Sequence, residues 1–239
     1  MSRPRLSRLV VAVLSTALAV STSACSQLGG AKADPVPTPA ATSATPAVEE
    51  TQFTRDGTFQ SHIDIDGVDF VYTLYPTKST PRTHEWYPLG NKFFTIALTA
   101  YDLDRKLRDR FATKRKVYLD RISVASTTDS EGPDGSSAMP YSLNAQARTI
   151  TMDPEPTQKR GYGMLITSPK GAFELRNQKI GEMPLETRLV TLRISATVFI
   201  QRRAGSDRYD RHRVSQKVPI TIFASKRPTP STRIPVDAN

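Results

Sequence analysis

A chain of 239 residues is long enough for one ordinary domain with a buried core. Its 33 Lys and Arg exceed its 23 Asp and Glu, giving a formal charge of +10, and such a surplus favours anionic surroundings. Its single cysteine excludes a framework of disulfides within the chain.

Arg3, Arg5 and Arg8 precede an uninterrupted apolar run, Leu9 to Val20, which small residues follow up to Cys25. Residues 1–24 therefore read as a secretory signal peptide. The run is too short to span a bilayer, and the separated arginines favour the general secretory route over the twin-arginine one. The segment Thr22-Ser23-Ala24-Cys25 resembles the lipobox of bacterial lipoproteins, with Thr22 where leucine is commonest. The resemblance implies a diacylglyceryl group on the Cys25 thiol, cleavage just before it, and often acylation (palmitate) of the new amino terminus. It places the chain at the cell membrane, lipid-anchored on the extracytoplasmic face. Two or three acyl chains anchor stably, at about 0.8 kcal/mol per buried CH₂. The alternative is cleavage by signal peptidase I after Ala31-Lys32-Ala33, which would remove Cys25. Loss of Arg3, Arg5 and Arg8 leaves 30 basic against 23 acidic residues, suited to lipid head groups or envelope polymers.

From Cys25 to Asp56 the composition turns to Ala, Pro, Thr, Ser and Glu. Such a segment buries too little to offset its ordering entropy, so residues 25–56 are expected to form a disordered tether. The tail 226–239 is expected to be disordered for the same reason, which leaves 57–225 as one folded domain.

That domain reads as β throughout. Asp66-Gly67 suits a two-residue type I′ turn, pairing Ile65 with Val68, Asp64 with Asp69, Ile63 with Phe70 and Ser61 with Tyr72. Phe59, Ile63, Ile65, Val68, Phe70, Tyr72 and Leu74 then share an apolar face that only Ser61 interrupts. The aromatic turn His84–Phe94 offers either a recognition loop or a plug for one end of the core. Phe94, Ile96, Leu98 and Ala100 alternate next. Asp102–Lys116, with Leu103, Leu107 and Phe111 four apart, is either a short helix or a polar crossover. Val117, Leu119, Ile122 and Val124 change parity after Leu119, as a β-bulge would cause.

Short strands follow at 148–152, at 162–168 and, after a turn at Ser168–Gly171, at 172–177. Val190, Leu192, Ile194, Ala196, Val198 and Ile200 begin a long hairpin that continues through Val214, Val218, Ile220 and Ile222. Seven to nine strands with frequent turns predict an all-β fold, an antiparallel β-sandwich of immunoglobulin-like architecture, with a closed barrel as the alternative.

The stretch Asp64–Asp69 lacks the glycine at position six and the glutamate at position twelve of a calcium loop. No metal site is expected; a nonstandard cation site would use Asp64 and Asp69, whose facing carboxylates repel. Two basic clusters stand out: Arg105, Lys106, Arg108, Arg110, Lys114, Arg115 and Lys116, and then Arg202, Arg203, Arg208, Arg211, Arg213 and Lys217. They read either as solvated loop charge or as a surface for an anionic lipid, glycolipid, envelope polymer or protein. No nucleic-acid partner is expected, since no basic stripe is interleaved with stacking aromatics.

His62, His84 and His212 lack metal-ligand spacing, and no nucleophile elbow, P-loop or dinucleotide fingerprint occurs. No cofactor and no catalytic residue is expected. The sequence thus predicts a non-enzymatic envelope lipoprotein displaying a β-sandwich as a binding or scaffolding module. A carrier of an apolar ligand, or a hydrolase built on unrecognised carboxylates, are the alternatives.

Overall fold

The computed structural model describes residues 53–77, 80, 82–131, 138–152 and 154–231. The signal segment, Cys25 and the tether up to residue 52 lie outside these described residues, as do the last eight of the tail.

Among the described residues, ten strands form two antiparallel sheets. The first contains β1 (Phe59–Ile65), β2 (Val68–Pro76), β3 (Lys92–Asp102) and β8 (Phe173–Ile180), in that spatial order. The second runs β10 (Tyr209–Thr221), β9 (Thr187–Gln201), β4 (Val117–Ser130), β7 (Gly163–Leu165) and β6 (Gln158–Lys159), with β5 (Ser142–Gln146) also paired to β4. The architecture is a β-sandwich, and the sheets do not close into a barrel. A parallel bridge, Ala100 to Thr167, joins them at one corner.

Alternation decides which side chains meet. On the first sheet Phe70, Tyr72, Leu74, Phe94, Ile96, Leu98 and Phe173 are buried; on the second, Leu119, Ile122, Val124, Leu192, Ile194, Val198 and Val218 face them. Each such side chain removed from water stabilises the fold by about 1.5–3 kcal/mol before entropy is counted. Trp86 is fully buried in the same core, so the aromatic turn acts as a plug rather than as an exposed anchor.

The β1–β2 hairpin has the register expected of it, with Asp64 opposite Asp69 and Ile65 opposite Val68. Asp66 and Gly67 take φ of 52° and 71°, as a type I′ turn requires. The bulge in β4 is also present, between Leu119 and Arg121. It restores the apolar side of β4 to the core and turns Arg121 and Ser123 outward.

One segment differs from the sequence expectation, one open alternative resolves to the polar crossover, and the folded part is longer than expected. Residues 147–149 form a 3₁₀ turn rather than part of a strand at 148–152, while β5 precedes it, its Leu143 and Ala145 alternating with polar residues in a run too short and too weakly apolar to stand out. Between β3 and β4 the chain makes turns and one 3₁₀ turn, Phe111–Thr113, with no helix. Packing also extends beyond the predicted domain limits. Phe53 bridges to Phe59, and Thr229 is buried, its amide donating to the Leu89 carbonyl at 2.8 Å.

Candidate functional site

The loop between β3 and β4 holds the first basic cluster and uses much of it internally. Lys114 is buried, and its Nζ donates to the carbonyls of Lys106 and Leu107 at 2.8 and 3.0 Å. Arg115 donates Nε and Nη2 to Asp102 Oδ1 at 2.9 and 2.7 Å. The same guanidinium donates to the carbonyls of Asp66 and Gly67, each at 2.8 Å, and so ties the loop to the β1–β2 turn. Lys116 Nζ donates to the Phe111 and Lys114 carbonyls and lies over the Phe111 ring. Burial, its largest influence, lowers the Lys116 ammonium below the ordinary lysine range. Arg105, Lys106, Arg108 and Arg110 are all four exposed.

This braced loop walls a groove of about 390 Å³ on the outer face of the first sheet. His62, Asp69, Val71, Tyr101, Asp102 and Ser168 are among its lining residues. His62 Nδ1 lies 2.7 Å from Asp69 Oδ2, and Asp64 Oδ1 accepts the Gly67 amide at 2.9 Å. The facing carboxylates of Asp64 and Asp69 are therefore each satisfied from within the protein, one by an imidazole and one by the turn itself. Asp102, the other carboxylate of the groove, is held by Arg115. Among the described residues there is no group of three or more His, Cys, Asp or Glu placed to hold a metal ion.

The second basic cluster divides. Arg202 pairs with Asp210 at 2.6 Å beside the β9–β10 turn, and Arg203 and Arg208 are exposed at that turn. Arg211, Arg213 and Lys217 instead alternate along the outer side of β10. Register brings two further cations to them. Arg213 lies opposite Thr197, and Thr197 opposite Arg121; Lys217 lies opposite Arg193. Between these two rows runs a third: Ser215, Ser195, Ser123 and Asn144, in line across β10, β9, β4 and β5.

On this face lies a trough of about 460 Å³, lined by Arg121, Ser123, Asn144, Ser195, Thr197, Arg211, His212 and Arg213; register sets Ser215 at its end and the Lys217–Arg193 row alongside it. Its polar contacts are local. Ser195 Oγ and Ser215 Oγ are 2.9 Å apart, Arg213 Nη2 donates to Ser195 Oγ at 3.2 Å, and Arg121 Nη1 donates to Asn144 Oδ1 at 2.9 Å. Arg121, Arg193, Arg211, Arg213 and Lys217 are all exposed. None of the five forms an ion pair among the described residues. Asp120, in the bulge beside Arg121, pairs with none of them.

Past Arg211 the same face ends in packed rings. Tyr162 and Tyr209 have centroids 4.5 Å apart, Tyr162 meets Phe199 edge-on at 5.1 Å, and Lys159 Nζ lies 4.4 Å from the Tyr209 centroid. These rings cover one another. Arg211, Arg213 and Lys217 belong to a basic run visible in the sequence, whereas Arg121 and Arg193 stand apart from it. The available signal was strand alternation, which puts Arg193 opposite to its apolar neighbours, and the parity change at the bulge, which does the same for Arg121.

The chain matches no protein-family model, and no curated protein is significantly similar to it.

Proposed function

We propose that this protein is an exported, lipid-anchored envelope protein whose β-sandwich is a binding module for an anionic partner. The outer face of the second sheet is the binding surface. The observation that carries this reading is the set of five exposed cations, Arg121, Arg193, Arg211, Arg213 and Lys217, gathered from three strands with no acidic partner among the described residues. Surface cations are ordinarily interspersed with acids, and a one-sign trough focuses potential toward an incoming anion. By contrast, Lys114, Arg115 and Lys116 are spent on the fold, which reduces the first cluster to the exposed side of its loop.

The anchor part rests on the signal segment and Cys25. Changing Cys25 to Ala is expected to release the protein from the membrane or block its processing; unchanged mass and retention would refute the anchor. The binding part is tested by adsorption of the full chain to isolated envelope at low and high salt. Replacing the five cations with Gln should abolish the salt-sensitive fraction, and undiminished adsorption would refute the surface.

Support for a binding module over a carrier of an apolar ligand comes from the interior. Trp86, Phe70, Phe94, Phe173 and their neighbours fill the space between the sheets, whereas the groove and the trough both lie on outer faces.

A further inference from the structure

The shape of the trough narrows its ligand further, an inference that rests on the anionic partner proposed above. We infer that the trough takes a linear acidic polysaccharide, laid across the strands along Ser215, Ser195, Ser123 and Asn144.

Spacing rules out a small anion as the full ligand. Adjacent strands lie about 4.8 Å apart, so the four-residue floor extends roughly 14 Å, and Arg121 and Arg213, two strands apart in one row, are separated by about 10 Å at the backbone. Lys217 is four residues along β10 from Arg213, about 13 Å away. No single phosphate or carboxylate reaches both walls. An elongated ligand with repeated charges does.

The floor selects against a lipid surface. Serine side chains are the shortest polar ones, and they lie between long arginines and a lysine, so a planar array of head groups would meet the walls and leave the floor untouched. A single polymer strand fits between the walls and reaches the floor. Its hydroxyls find complementary partners there, because each seryl hydroxyl both donates and accepts and the Asn144 amide keeps its N–H donors, while Arg213 and Arg121, which donate to Ser195 and to Asn144 Oδ1, turn to the polymer's carboxylates. The linked pair Ser195 and Ser215, 2.9 Å apart, presents this capacity on the two strands nearest the edge.

Nucleic acid is disfavoured by the rings. Single strands are held by stacking bases on open aromatic faces, but Tyr162, Tyr209 and Phe199 pack against one another and Lys159 covers Tyr209. The trough itself has no Phe, Tyr or Trp among its lining residues, and its one ring, the His212 imidazole, lies with its Nε2 3.4 Å from Asp66.

The test uses the detergent-solubilised full chain and four probes: polygalacturonate, neutral dextran, water-soluble short-chain phosphatidylglycerol, and inorganic phosphate. Calorimetric titration should show salt-sensitive binding of polygalacturonate at least tenfold tighter than of the lipid or phosphate, with none for dextran. The double variant R121Q/R213Q should weaken polygalacturonate at least tenfold. The triple variant S123A/S195A/S215A, which keeps every charge, should weaken it several-fold without altering lipid or phosphate binding. Unchanged melting temperatures would confirm that both variants fold.

Binding of the lipid as tightly as the polymer, or no effect of the serine changes, would overturn the polysaccharide inference while leaving the anionic partner intact. Failure of every anionic probe to bind would overturn both. Polymer binding that survives R121Q/R213Q would also overturn the inference, by placing the site elsewhere.

Discussion

Lys92 is fully buried at the start of β3, where its ammonium donates to the carbonyls of Tyr87, Pro88 and Gly90 at 2.9, 2.8 and 2.8 Å. It thereby closes the loop that carries Trp86 into the core. Burial pushes its pKa down to about 8, against a smaller opposing pull from Glu182. Between pH 8 and its ordinary 10.5, the unfolded chain holds more protons on this residue than the folded one, so its contribution to stability grows as pH rises through that window. Tyr141 has the opposite sign. Burial pushes it up to about 12 from 10.0, so its contribution is complete below pH 10 and is lost as pH rises toward 12. Stability measured by urea titration should therefore rise from pH 8 to about 10 and then fall. Replacing Lys92 with Met should remove the rising limb and, by leaving three carbonyls without their donor, cost about 2 kcal/mol or more at neutral pH. A variant of wild-type stability would show the caging to be dispensable. Ser61 offers a contrasting case, since its buried hydroxyl has no hydrogen-bond partner among the described residues. Ser61→Ala should raise stability by about 1 kcal/mol, read as a higher urea midpoint at constant slope.

Among the elements, the β1–β2 hairpin was readable residue by residue, because the period-two alternation and the Asp66-Gly67 turn independently demand the same register. The β3–β4 loop was not. Its leucines at four-residue spacing imitate a helix, yet Leu103 and Leu107 are 55% and 62% exposed, and bonds from Lys114 back to Lys106 and Leu107 and from Arg115 to Asp102, Asp66 and Gly67 set its path instead. Side-chain bonds to backbone carbonyls of the same loop, and to the distant β1–β2 turn, leave no periodic pattern to announce them. A basic run in sequence thus mixes cations that hold the fold with cations that face solvent. Arg115→Ala should separate the two kinds. It strips the guanidinium from Asp102, whose side chain is only 2% exposed, and from two turn carbonyls, and should destabilise by about 3–5 kcal/mol. Arg105→Ala and Arg108→Ala should stay within about 0.5 kcal/mol of the parent. Equal effects of the three changes on the urea midpoint would contradict this division.

For the whole molecule, the cationic trough exists only because β4, distant in sequence, aligns beside the β9–β10 hairpin. Alternation placed each strand's polar side correctly, and the hairpin put Arg193 on a strand next to Lys217, but that β4 pairs with β9 is decided by the packing of both sheets, and so Arg121 was invisible as a partner of Arg213. The same arrangement limits affinity. Exposed ion pairs contribute only about 0.2–1 kcal/mol each, so five of them, weakened further by salt, make a modest single site. Attachment through Cys25, as proposed, changes that limit, because many copies held on one surface can engage one polymer chain at once. Such linkage raises apparent affinity by about 10²–10⁴ without any new contact. Full-length protein reconstituted at high density in neutral vesicles should therefore retain polygalacturonate at least a hundredfold better than the same protein at low density. The gain should vanish with R121Q/R213Q, because each copy then contributes too little to multiply. Density-independent retention, measured by co-sedimentation across a dilution series, would mean that each copy acts alone and that the membrane serves only as an address.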